Sequence, residues 1–139
     1  MIPAFGEAIG LEYLGSEGRK VRLRVPYAAH LVGDPDTGVI HGGVITAALD
    51  NASGWAVRHT DIWEEGISMA TLDLRIDYMR SAIPGRDLLV TAECYKKTQT
   101  IAFIRAVAYD QEDEDDEDPV ATSVAAFMMG TPNQPRTEV

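Results

Sequence analysis

Cysteine is nearly absent. Cys94 is the only one in 139 residues, so the chain closes no internal disulfide. A lone cysteine of this kind reads as a small buried hydrophobe in a reducing compartment. Long apolar runs are absent too. None approaches the roughly 20 residues that a membrane-spanning helix needs. The first ten residues have neither basic side chains nor the apolar stretch of a secretory signal. The expectation is a cytoplasmic protein that does not engage a membrane. Basic residues are outnumbered, 12 against 22 acidic, for a net charge of −10. The excess is local, since eight of the acids lie in residues 110–118. No basic patch is left to attract a phosphate backbone, which argues against nucleic acid as a partner. The acidic run reads as a solvated hairpin loop, with a docking site for a basic partner as the alternative.

Several catalytic signatures are missing as well. There is no Gly-x-Ser-x-Gly elbow of a serine hydrolase. No glycine-rich loop follows a strand to cradle phosphate. His30, His41, His59 and Cys94 lack the spacing of metal ligands. No metal and no redox cofactor is expected.

What remains is the pattern of one folded domain over residues 1–139, with a Pro-containing polar tail at 130–139. A short helix is expected at residues 4–8, an extended stretch from Leu11 and a turn at Ser16-Glu17-Gly18. Residues 19–26 alternate strictly, with Val21, Leu23 and Val25 on one face and Lys20, Arg22 and Arg24 on the other, which is a half-buried strand. Residues 28–40 form a loop punctuated by Gly33, Asp34-Pro35 and Gly38. Four strands are expected later, at 71–80, 88–95, 100–109 and 120–129. Sequential strands with short connections pair antiparallel. The architecture expected is α+β, an antiparallel sheet curled around one long helix.

That helix begins at His41-Gly42-Gly43 and runs through Val57 to about His59. It is small or apolar on most faces, which marks a buried helix about 25 Å long. Asp50 sits in its middle, and a charge there costs several kcal/mol unless it is paired, hydrogen-bonded or beside a wet site. Asp50 reads either as a nucleophile or general base, or as a polar residue bonded among Thr46 and Ser53. The glycines at the helix start either make a tight turn or let a ligand approach N–H groups that would stabilise an oxyanion. Asp50 lies nine residues after His41, about 13 Å along the helix. Asp50 and the Gly43 N–H of one chain cannot both reach one carbonyl. If both are catalytic, two chains must pair with their helices antiparallel, forming two shared sites.

The segment Gly38-Val39-Ile40-His41-Gly42-Gly43-Val44, with Asp50 following, resembles the hot-dog-fold acyl-CoA thioesterases of the PaaI-type branch. The likeness extends over most of the chain. It takes in Pro3-Ala4-Phe5, Gly10, Ala48-Leu49-Asp50, Ala70-Thr71-Leu72-Asp73-Leu74 and Tyr78-Met79-Arg80 with Gly85. The resemblance implies a six-stranded antiparallel sheet around the helix and a homodimer, often paired into a tetramer, with sites at the dimer interface. It implies hydrolysis of an acyl-CoA to free acid and CoA. By position, the Gly43 N–H would polarise the thioester carbonyl and His41 would orient that loop. Asp50 of the partner chain would attack the carbonyl or activate water, and the Thr71 hydroxyl would sit near that water. Gly42, Asn51 and Arg80 are the candidate substrate-binding residues. Arg80 is the first choice for the CoA phosphates, with Lys96, Lys97 and Arg105 as alternatives. The chain departs from the pattern in one place: the family often carries an Asn a few residues before His-Gly-Gly, and residues 30–36 contain none. Related hot-dog proteins are dehydratases or ligand-sensing domains. The competing reading is therefore a non-catalytic acyl-CoA-binding or sensing protein. No helix-turn-helix output region precedes the central helix, which favours the enzyme.

Overall fold

A computed structural model describes residues 2–111 and 118–130. Residues 112–117 of the acidic run and 131–139 of the expected tail lie outside the described residues. After a short helix α1 (Ala4–Ala8), a hairpin forms from β1 (Glu12–Glu17) and β2 (Lys20–Val25). Gly18 turns it with a positive φ of 59°, a conformation that side chains with a Cβ resist. Val21, Leu23 and Val25 are fully buried, as their alternation requires. The loop that follows holds more structure than its composition suggests. A 3-10 turn (Ala29–Leu31) leads into a small hairpin of β3 (Val32–Asp34) and β4 (Val39–Ile40), which delivers His41 to the long helix α2 (Gly42–Arg58).

The later strands are β5 (Met69–Tyr78), β6 (Leu88–Lys97), β7 (Ile101–Tyr109) and β8 (Ala121–Met129). They complete a six-stranded antiparallel sheet in the order β1-β2-β6-β7-β8-β5. Consecutive pairing fails at one point. β5 and β6 are neighbours in sequence but not in the sheet, because β6 pairs with β2 while β5 crosses to the outer edge of β8. The reason is visible in the side chains. β6 begins with the buried Leu88, Val90, Thr91 and Ala92 and needs a strand on each side. β5 carries Asp73, Arg75 and Asp77 at alternate positions, and a strand of that kind suits an edge. Leu72 and Tyr78 of β5 are left exposed.

One side of α2 packs on this sheet, chiefly on β6 and β7. Its buried residues recur at helical spacing: Val44, Ile45, Ala48, Leu49, Ala52, Ser53, Ala56 and Val57. Three alanines in this row let the helix lie close to the strands. The Ser53 hydroxyl is satisfied by donating to the Leu49 carbonyl at 2.8 Å. Each fully buried large side chain here, such as Leu23, Leu49, Leu88 or Ile104, contributes about 1.5–3 kcal/mol relative to exposure. The opposite side of α2 is left to the site.

Arg80, expected at the CoA phosphates, does other work. Its guanidinium donates to both oxygens of Asp110 at 2.7 and 2.8 Å, to Asp118 at 3.0 Å, and to the Ser81 and Asp118 carbonyls. All five N–H groups are used, so none is left for a phosphate. The same carboxylate accepts the Ile83 N–H at 2.9 Å. Arg80 thus ties both stems of the acidic loop to the turn after β5. These hydrogen bonds hold the Asp110 carboxyl below the usual carboxylate range, against the opposing effect of its burial.

Replacing Arg80 by Met leaves the Asp110 carboxylate buried and unpaired, and is expected to cost about 3 kcal/mol or more in urea unfolding at pH 7. Because the Asp110 pKa is lowered by folding, the pair stabilises the protein above about pH 4. That contribution is lost as pH falls through the lowered value. The difference between wild type and Arg80→Met should therefore shrink on acidification below pH 4.

Candidate active site

The N-terminus of α2 is capped by its own histidine. His41 Nδ1 accepts the Gly43 N–H at 2.8 Å, which requires a neutral ring with its proton on Nε2. The His41 N–H donates to the Leu31 carbonyl at 2.9 Å, tying the cap to the 3-10 turn. Gly33 of β3 lies against the same residue. A Cβ at Gly33 would stand 2.8 Å from His41 Cα and 3.1 Å from its Cβ. The loop that lacks the family's Asn therefore brings a glycine to the histidine, with no room for any side chain. From the other direction, Tyr78 at the end of β5 reaches over the helix start. Its hydroxyl donates to the Gly42 carbonyl at 3.2 Å and meets the Thr46 hydroxyl, itself 3.2 Å from the same carbonyl. Only the fold brings Tyr78 to Gly42, 36 residues away in sequence.

Asp50 lies seven residues beyond Gly43, on the same side of α2 and about 10 Å along it. It is half-buried, and its Oδ1 accepts the Thr71 hydroxyl at 3.3 Å. Thr71 is placed there by β5 where its register with β8 shifts, between Thr71 and Asp73. Asn51 spends one amide hydrogen on the Ala47 carbonyl at 2.8 Å. Two hollows meet at these residues, and Asp50, Asn51 and Thr71 line both. One, of about 360 Å³, runs toward Gly43 beneath Phe5 and Leu74. The other, of about 230 Å³, runs toward Trp55 and Arg58.

The structure thus groups the candidates in two sets on one helix face: His41, Gly42 and Gly43 at its start, and Asp50, Asn51 and Thr71 two turns on. It does not bring Arg80 to either. Lys97 pairs with Asp61 and Arg105 stacks on the Tyr95 ring at 4.4 Å. Among the described residues, no cluster of three or more His, Cys, Asp or Glu could hold a metal ion. Among the described residues, no helix is long and apolar enough to cross a membrane. Chemically, one set presents N–H groups and the positive end of a helix dipole. The other presents a carboxylate with a hydroxyl fixed on one of its oxygens. That combination suits attack on a carbonyl.

A family model described as the thioesterase superfamily matches residues 37–117, from the turn before His41 into the acidic run. The chain belongs to the thioesterase superfamily. The medium/long-chain acyl-CoA thioesterase YigI of Salmonella typhimurium is 32% identical, covering 91% of this chain and 85% of that one. A crystal structure of a protein from Pseudomonas aeruginosa is 37% identical and superposes with a TM-score of 0.77, covering 89% of this chain and 88% of the other. The PaaI protein of the E. coli phenylacetic acid degradation operon, 17% identical with a TM-score of 0.74, covers 91% of this chain and 83% of its own and shares the fold. The six-stranded sheet on one helix is thus the hot-dog fold of thioesterases.

Gly33→Ala tests the support behind the cap. The new methyl must displace the His41 backbone, and misplacing a site by a fraction of an ångström to 1 Å costs about 10- to 100-fold in rate. Thioester hydrolysis should fall by that factor with little change in circular dichroism. Unchanged turnover would mean that the position of His41 does not matter.

Proposed function

We propose that the protein hydrolyses medium- to long-chain acyl-CoA at two sites shared across a homodimer, which can pair further into a tetramer. The observation that carries this is the Asp50–Thr71 pair in a hollow, two helical turns from Gly43 on the same face. A rigid helix holds the two groups about 10 Å apart. A second helix running antiparallel beside it sets the Gly43 of one chain against the Asp50 of the other. The edge strand β5, with Leu72 and Tyr78 uncovered and the exposed Met79 just after it, supports pairing of a second copy along this side. The acyl length follows the relatives named as medium/long-chain enzymes.

In the proposed reaction the thioester carbonyl oxygen takes the Gly43 N–H from His41 Nδ1. The helix terminus then stabilises the charge that develops on it. Asp50 of the partner chain accepts a proton from water, oriented by Thr71, and the hydroxide attacks the carbonyl carbon. The C–S bond breaks, and the proton passes from Asp50 to the leaving thiolate, giving free acid and CoA thiol. No cofactor enters this scheme.

Asp50→Asn is close in shape but cannot take the proton. Free-thiol release from acyl-CoA should fall at least about 100-fold, or about 2.7 kcal/mol of transition-state stabilisation, while the variant stays folded and dimeric. Binding of acyl-CoA without turnover in the wild type would instead favour an acyl-CoA-binding protein. In that case the His41 cap would keep the Gly43 N–H permanently occupied.

A further inference from the structure

We infer that Gly54 sets the acyl-chain length, and that the hollow beyond Asp50 holds an acyl chain of roughly eight to ten carbons. This rests on the thioesterase reading. Gly54 is one helical turn past Asp50, on the face that lines the 230 Å³ hollow. A Cβ built at Gly54 meets no atom within 4 Å, so no packing in this chain requires a glycine. It is also not a turn, since it lies inside α2. A glycine in a helix interior weakens the helix relative to alanine. Here that loss leaves open space beside the reacting groups.

Part of the wall of that space is apolar. Trp55 on α2 is stacked on Tyr13, with ring centroids 4.5 Å apart, and forms a fixed side. Met69 of β5 and Phe127 of β8 face it. The polar groups are gathered at the ends. Asp50, Asn51 and Thr71 stand where the carbonyl would react. At the far end the Arg58 guanidinium lies over the Trp55 and Trp63 rings, 5.1 and 5.8 Å from their centres, and lines the hollow. From Asp50 to Arg58 is eight residues, about 12 Å of helix. An extended chain advances roughly 1.25 Å per carbon, from a bond of about 1.5 Å and a near-tetrahedral angle. The hollow therefore takes roughly eight to ten carbons. Gly54 stands about 6 Å from Asp50, beside roughly the fifth carbon. A side chain there would block everything beyond it.

The test is the ratio of kcat/KM on decanoyl-CoA to kcat/KM on butyryl-CoA for wild type, Gly54→Ala and Gly54→Leu. A parallel titration of tryptophan fluorescence with the same two thioesters reads binding. Gly54→Leu should lower the ratio about 50-fold or more, the effect of excluding several methylenes. Gly54→Ala, which favours the helix and so guards against loss of folding, should lower it by a smaller factor in the same direction. A ratio unchanged within about threefold in both variants would overturn the inference, even if absolute rates fell. Absence of thiol release from any acyl-CoA in the wild type would overturn the thioesterase reading instead. The ratio of binding constants would then decide the role of Gly54, falling in the variants if the inference holds and staying level if it does not.

Discussion

The rigidity of one helix governs everything else in this protein. α2 buries one face so completely that it cannot bend or rotate without exposing Ala48, Leu49, Ala52 and Val57. What its other face presents is therefore fixed in space. That face is built from small residues, Gly43, Thr46, Ala47 and Gly54, with one carboxylate, Asp50. Small residues there leave room that larger ones would fill, and the two hollows meeting at Asp50 are the result. The same rigidity separates Asp50 from the helix start by about 10 Å, a gap that one thioester carbonyl cannot span. A catalytic role for both ends of that distance requires a second chain.

Around the start of α2 the fold spends several elements on one residue. The β3–β4 hairpin is too short to add much stability by itself. With the 3-10 turn before it, it holds His41, through the bond to Leu31 of that turn and the contact with Gly33 of β3. Tyr78 and Thr46 cover the Gly42 carbonyl from the other side. The first N–H groups of a helix have no partner within the helix, and here the Gly43 N–H is given one by the histidine beside it. An imidazole nitrogen is a weaker claimant than a developing oxyanion, because hydrogen bonds to a charged acceptor are about twice as strong. The cap can therefore yield to the reaction it prepares for.

Much of this was legible in the sequence because it rests on local patterns. Strict alternation exposed β2, the small apolar run exposed α2, and an isolated carboxylate on that run pointed to Asp50. The spacing of Asp50 from His41 requires a dimer if both residues are catalytic. Other features depend on contacts distant in sequence and left no local signal. Nothing near Arg80 shows that Asp110 and Asp118 will consume its donors. Its place in the Tyr78-Met79-Arg80 segment suggested a phosphate ligand, whereas burial of Asp110 made it a brace. The contact of Tyr78 with Gly42 left no sign, because alternation reports which face a residue occupies, not which helix terminus it will reach. The exchange of β5 to the sheet edge escaped a rule based on neighbouring strands. The charges on β5 carried the signal that could have found it.

Whether each site is shared between two chains is most directly measured by mixing impaired subunits. Asp50→Asn and His41→Ala chains, each expected to be impaired alone, are unfolded together, refolded and assayed for acyl-CoA hydrolysis. In a mixed dimer with shared sites, one site combines both defects and the other receives an intact Asp50 and an intact His41. Random pairing should then restore about a quarter of wild-type activity. If each site is built from a single chain, every site in the mixture carries one defect. Activity would then remain at the level of the separate variants, contradicting the account.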